Sequence, residues 1–167
     1  MQQRDFAIRP LVNSDSITAL TALLHAAYAE HALAGRDFFA SYQSTDDTRH
    51  RVANGECWVA FLGDVMVGTV TIAVPHNAPA GYPVGARSGT FYQLAVLPEY
   101  RRIGLGDQLL RLAERRIRER GADEAVIDTS ALATELIAWY ERRGYAPIGR
   151  WRWQVTNYDS VVLRKPL

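Results

Sequence analysis

The chain has 167 residues, 48% hydrophobic and 22% charged, with 19 basic against 18 acidic side chains and a formal net charge of +1. That is an ordinary globular composition with enough apolar material for its own core, and it lacks the basic excess of a general nucleic-acid binder. A single cysteine, Cys57, excludes an intrachain disulfide and a multi-cysteine metal site, and no run approaches the roughly 20 apolar residues of a membrane span.

Met1–Asp5 shows no apolar signal segment and leads into Phe6–Pro10, which alternates and stops at proline as a first strand. Asn13, Ser14 and Asp15 offer N-caps to a helix carrying Ile17, Leu20, Leu23, Leu24 and Tyr28. Residues 30–44 lose periodicity while holding Phe38, Phe39 and Tyr42. Ser44–Asp47 caps a second, short helix that ends near Asn54-Gly55. Runs 57–62 and 65–74, separated by Gly63-Asp64, read as a hairpin in which Cys57 is a small buried hydrophobe. Pro75–Ser88, with three prolines and two glycines, is a loop. A strand over about 89–97 and a helix over about 104–120 follow, the helix closed by Gly121. Then come a strand at Glu124–Asp128, a helix at 133–142 closed by Gly144, and strands at Tyr145–Trp153 and Ser160–Arg164. With no repeat, low-complexity tract or break in composition, residues 1–167 read as one domain. The order β-α-α-β-β-β-α-β-α-β-β describes a mixed sheet with helices on its faces.

The stretch Arg101-Arg102-Ile103-Gly104-Leu105-Gly106 stands between an apolar strand and a helix whose Leu105, Leu109, Leu112, Ala113 and Ile117 share one face. A helix start leaves its first N–H groups without intrahelical acceptors and adds the positive end of the dipole, so it attracts anions. Glycines at 104 and 106 remove the side chains that would keep a bulky phosphate from that backbone. A bound diphosphate is implied. A dinucleotide-binding fingerprint would need a third glycine where Leu109 stands, and a nucleotidase phosphate loop would need Gly-Lys followed by Ser or Thr, which is absent.

On these residues the chain resembles the GNAT acetyltransferase superfamily, whose signature runs Arg or Gln, two residues, Gly, one residue, then Gly or Ala. Arg101, Gly104 and Gly106 fill those places, after the lead-in Val96-Leu97-Pro98-Glu99-Tyr100-Arg101. The later signature matches Trp139-Tyr140-Glu141-Arg142-Arg143-Gly144-Tyr145, and the element order from residue 6 to 167 fits. The resemblance implies an α/β (α+β) fold: a mixed, mostly antiparallel twisted sheet of about seven strands, splayed at its centre and flanked by about four helices. It also implies acetyl-CoA, without a metal, in the splay. Backbone amides of Arg102, Ile103, Gly104, Leu105, Gly106 and Asp107 would cradle its pyrophosphate. Leu94 and Val96 would offer main-chain N–H and C=O groups to the pantetheine arm. Arg101 would shape the loop or meet a phosphate. Tyr140 would serve as general acid toward the departing thiolate, and the Val96 N–H or a neighbour would polarise the thioester carbonyl. Many members carry an asparagine about seven residues before the tyrosine; here Ala133 stands there, and either Thr134 beside it replaces part of that polar contact or the contact is absent.

The implied activity is acetyl transfer by direct attack of a primary amine, in a small molecule, an amino-acid-like compound or a peptide. Such an amine has a pKa near ~10, so about a thousandth is neutral at pH 7 and a proton acceptor is needed. Tyr28, Glu30, His31, Tyr92, Gln93 and Asp128 are the candidates for that role or for substrate contact, with a bound-water relay in the absence of an unambiguous base. Phe38, Phe39, Tyr42, Tyr82 and Tyr92 suggest aromatic walls; Trp151 and Trp153 suit core packing or a dimer contact; Arg111, Arg115 and Arg118 suit a solvated, ion-paired face. The expectation is a cytoplasmic monomer or homodimer with no nucleic-acid or membrane partner. The rival is a CoA-binding sensor or interaction module without catalysis, against which Tyr140 counts.

Overall fold

A computed structural model describes residues 5–167, so the expectation for Met1–Arg4 lies outside the described residues. The elements are β1 (Ala7–Pro10), α1 (Ile17–Leu33), α2 (Phe39–Tyr42), α3 (Thr45–Ala53), β2 (Glu56–Leu62), β3 (Val65–Ala73), β4 (Ser88–Val96), α4 (Leu105–Glu119), β5 (Glu124–Ser130), α5 (Thr134–Glu141), β6 (Ala146–Trp151) and β7 (Ser160–Pro166). The strands form one sheet in the order β1-β2-β3-β4-β5-β7-β6, antiparallel everywhere except at the β4–β5 pair. Among the described residues there are seven strands, as expected, and five α-helices rather than about four. The extra one is the single turn α2, formed by part of the aromatic stretch that shows no periodicity.

Caps and alternation explain the local choices. The Ser44 hydroxyl accepts from the Asp47 N–H at 3.0 Å while the Asp47 carboxylate accepts from the Ser44 N–H at 2.8 Å, a full capping box for α3. The α1 cap departs from expectation: it is Ser16, whose hydroxyl accepts from the Ala19 N–H at 3.0 Å. Asp15 is drawn off by Arg9, which donates two 2.8 Å hydrogen bonds to its carboxylate. Strand alternation sends Cys57 and Val59 toward Leu20, Leu23 and Leu24 of α1. It sends Ala60 to the opposite face, where Leu105, Leu109, Ala113 and Ile117 of α4 pack. Each fully buried Leu or Ile there contributes roughly 1.5–3 kcal/mol.

The sheet opens at its middle. β4 and β5 pair only through Ser88–Glu124 and Gly89–Ala125, then diverge. The junction is pinned by the Glu124 carboxylate, which accepts from the Ser88 hydroxyl at 2.6 Å and from the Arg164 guanidinium; these bonds hold the carboxyl below its ordinary pKa. Gly89 lets α4 close on the junction, because a Cβ there would lie 2.7 Å from Ile117 Cγ2 and 3.0 Å from Val74 Cγ2. Further along, the pairing passes from Thr71–Tyr92 to Thr69–Ala95, so β4 carries one extra residue, with Gln93 at φ +54°. This bulge bends β4 where it leaves β5.

Candidate active site

Arg102 (φ +62°) and Gly104 (φ +89°) turn the chain from β4 into α4. Gly104 is the N-cap of α4 and no side chain caps it, so the amides of Leu105, Gly106 and Asp107 lack intrahelical acceptors. A Cβ at Gly104 would meet nothing within 4 Å, and one at Gly106 only the Trp139 ring at 3.7 Å, so the approach is open. Arg102, Ile103 and Gly104 are exposed, while Leu105, buried in the core, anchors the turn. The one acid at this helix start is neutralised. Asp107 accepts from Arg143 at 2.6 and 3.2 Å, which holds its carboxyl below its ordinary pKa, and Arg143 in turn lies 3.8 Å over the Trp139 ring. An open, uncapped, charge-neutralised helix start fits a diphosphate.

Of the two readings of Arg101, the structure supports loop shaping. Its guanidinium donates to the carbonyls of Val96 (3.2 Å) and Ala27 (2.6 Å) and to the Glu30 carboxylate (2.6 Å), strapping the loop to α1. Thr134, the first residue of α5, is exposed, and its hydroxyl makes no hydrogen bond among the described residues.

The Leu97 N–H donates to the Val67 carbonyl, so alternation turns the polar groups of Val96 and Leu94 away from β3 and toward the cleft. Each carbonyl accepts one hydrogen bond there, Val96 from Arg101 and Leu94 from the Tyr28 hydroxyl at 2.9 Å, and keeps a second lone pair beside its N–H group for a ligand. A cavity of about 740 Å³ fills the splay, bounded by β4, β5 and α5. Tyr140 lines it, 7% exposed and packed against Trp139, Tyr145 and Phe91 at ring separations of 5.0, 5.5 and 6.3 Å. Its hydroxyl has no hydrogen-bond partner among the described residues. Burial raises its pKa well above the ordinary phenol value, so the group is fully protonated at neutral pH.

Tyr28, Tyr92, Gln93 and Asp128 all line this cavity; His31 and Glu30 do not. His31 Nδ1 is held by Arg36 at 3.0 Å with its ring 4.3 Å from Phe38, and Glu30 belongs to the Arg101 strap. Gln93 is 4% exposed and accepts from Gln43 at 2.9 Å, while the Tyr92 hydroxyl donates to the Arg51 carbonyl at 2.7 Å. Asp128 accepts from the Tyr82 hydroxyl at 2.6 Å and from the Trp153 indole at 2.9 Å. Trp151 and Trp153 both pack on the buried cluster of Tyr82, Val126 and Val162, the core packing expected of them, and Trp153 is in addition a wall of the cavity and a support of Asp128. Phe38 and Phe39 are walls as expected. Tyr82 stands behind Asp128, and half-exposed Tyr42 donates to the Val155 carbonyl instead. Cys57 is buried, and of the arginine face expected on α4 Arg115 is paired with Glu119 at 3.8 Å, while Arg111 and Arg118 make no ion pair among the described residues.

Two cavity residues escape a reading of the sequence. His76, in the proline-rich loop, packs edge-on to Tyr82 at 5.2 Å; its buried Nδ1 has no partner among the described residues, and burial lowers its pKa, against which Asp128 acts. Arg51, on α3, lies between the Phe39 and Tyr92 rings at 5.2 and 5.3 Å. Neither sits in a local pattern that marks it; both come to the site only through packing of remote segments.

Residues 20–145 match the family model described as the acetyltransferase (GNAT) family. An amino-acid acetyltransferase of Pseudomonas putida is 36% identical over 94 residues, covering 52% of this chain and 21% of that protein. A member of N-acetyltransferase family 8 from Mus musculus is 29% identical over 110 residues, covering 62% of this chain and 47% of its own. The chain thus spans less than half the length of either relative. A solved GNAT family acetyltransferase from Elizabethkingia anophelis, with acetyl-CoA bound, shares the fold at a TM-score of 0.69 and 17% identity, over 97% of this chain and 98% of that one. Among the described residues no helix is long and apolar enough to cross a membrane.

Proposed function

The chain belongs to the GNAT acetyltransferase family, and on that premise we propose that it is an acetyl-CoA-dependent N-acetyltransferase acting on a primary amine. The observation that carries the reading is the splay: β4 and β5 part after Gly89–Ala125, and Tyr140 and Leu94 line the cavity that fills the gap. Acetyl-CoA supplies the acetyl group as an activated thioester. The amides from Arg102 to Asp107 hold its diphosphate, and the N–H groups of Leu94 and Val96 bind the pantetheine arm and the thioester carbonyl. The Tyr140 hydroxyl, kept protonated by burial, is the proton donor at the sulfur. On the acceptor side an ammonium must lose a proton before it can react. His76, held neutral at pH 7 by burial, is the proton acceptor on the cavity wall, directly or through water, with Asp128 orienting the amine.

The first test is thermal unfolding with and without saturating acetyl-CoA, with NADH and ATP as controls. A ligand at about 100 times its Kd adds about 2.7 kcal/mol, or roughly 5–11 °C for a chain of this length. The expected result is a shift with acetyl-CoA alone, followed by amine-dependent CoA release; no shift with any acyl-CoA refutes the reading.

A further inference from the structure

The acceptor side of the cavity holds a cation, Arg51, on which Asp47 and Asp128 act only from beyond contact distance. Arg51 donates through Nη1 to the neutral Gln43 side chain at 2.8 Å, and among the described residues no carboxylate lies within ion-pair distance of it. Arg9, Arg101, Arg116, Arg143 and Arg164 are each paired with an Asp or Glu. A solvated arginine without a partner means little, but Arg51 is half-buried and sandwiched between two aromatic rings. A guanidinium taken from water in this way ordinarily faces a carboxylate. Its setting is stiff: Gln43 is fully buried and donates to Thr48 at 2.7 Å and to Gln93 at 2.9 Å. The guanidinium is thus fixed on its Gln43 side, while its Nε and Nη2 groups make no hydrogen bond among the described residues. Asp128, oppositely charged and held by Tyr82 and Trp153, lines the same cavity.

A fixed positive and a fixed negative group in one aromatic-walled cavity are complementary to a zwitterion. Resting on the N-acetyltransferase reading above, we propose that the acceptor is a free amino acid and that Arg51 binds its carboxylate. The amino group then lies on the Asp128 side, and the aromatic walls take an apolar side chain. The planar guanidinium presents its N–H groups in the fork that matches a carboxylate, which an ammonium does not.

The test uses purified protein, acetyl-CoA and the twenty amino acids, read by CoA release. The best acceptor is then compared with its own amide and with the corresponding amine lacking the carboxylate. Loss of a charge-assisted hydrogen-bond pair predicts a KM about tenfold to a hundredfold lower for the acid than for the amide or plain amine. Arg51→Met, which keeps length and apolar stacking, is expected to raise KM for the acid by a similar factor while leaving KM for the amide and for acetyl-CoA unchanged; Arg51→Lys restores part of the loss. An unaltered acetyl-CoA-induced thermal shift shows that the variant is folded. Equal KM for acid and amide, a parallel rise for both in Arg51→Met, or no amino acid accepted by protein that acetyl-CoA stabilises overturns the proposal. Absence of any acetyl-CoA stabilisation instead removes the N-acetyltransferase reading beneath it, and both fall.

Discussion

Replacing Tyr140 by Phe removes one oxygen and keeps the ring contacts at 5.0–6.3 Å. The hydroxyl makes no hydrogen bond among the described residues, and the residue is only 7% exposed. An apolar setting that leaves a hydroxyl unpaired costs about 1–3 kcal/mol, toward the low end where the group borders a hydrated cavity. Stability is therefore expected to stay level or rise by up to about 1 kcal/mol, which is roughly 2–4 °C in Tm. Acetyl-CoA affinity should be nearly unchanged, because the Gly104 loop is untouched. As general acid, the phenol supplies about 10²–10⁴ in rate, so kcat should fall by that factor, or about 2.7–5.4 kcal/mol in activation free energy. The assay pairs a thermal melt and an acetyl-CoA titration with steady-state CoA release. A kcat near wild type, or a large affinity loss with kcat retained, would show that Tyr140 serves packing and not proton donation.

Three further perturbations test other parts of the reasoning. Gly104→Val forces a β-branched side chain to φ +89° with no protein atom within 4 Å to clash, so strain of about 1–2 kcal/mol leaves the chain folded; the acetyl-CoA-induced thermal shift should vanish, and its survival would dismiss the phosphate cradle. Gly89→Ala places a methyl 2.7 Å from Ile117, and denaturant titration should show a loss of about 1–3 kcal/mol from overpacking. Burial lowers the pKa of His31 and His76 below the ordinary 6.5, so their stabilising contribution is complete above pH 6.5 and is lost as pH falls through the folded values. Melting temperature should thus decline from pH 7 to 5, and His76→Asn should flatten the decline. A second decline belongs to Asp15: its pKa is about 2 because of the Arg9 hydrogen bonds, so its contribution is present above the unfolded 3.8 and fades toward pH 2.

The features legible in the sequence were those whose cause is local. The apolar stripe of α4, the Ser44/Asp47 box, the Gly63-Asp64 hairpin and the positive-φ stops at Gly121 and Gly144 need only neighbours a few residues away. Features decided by distant partners were not. Asp15 looks like a cap until Arg9 claims it, and the two readings of Arg101 separate only when α1 supplies Ala27 and Glu30. Gln93 looks like a candidate base or contact, yet the bulge and the side chain of Gln43 lock its amide.

The same distinction divides the cleft. The side proposed for acetyl-CoA is made largely of backbone: the N–H groups of Leu94 and Val96 and the uncapped start of α4. Backbone donors constrain spacing and glycine positions, and spacing survives in a sequence as a pattern. The acceptor side is made of side chains drawn from α3, the loop after β3, β5 and the 153–158 segment, each free to vary without disturbing the sheet. Specificity for the amine therefore resides in residues such as Arg51 and His76 that no local pattern announces. Substitutions there should move acceptor kinetics at constant acetyl-CoA affinity, while Gly104→Val should do the reverse. A variant on α3 that altered acetyl-CoA binding as strongly as acceptor binding would mean that the two halves are energetically one site, and the division argued from the splay would fail.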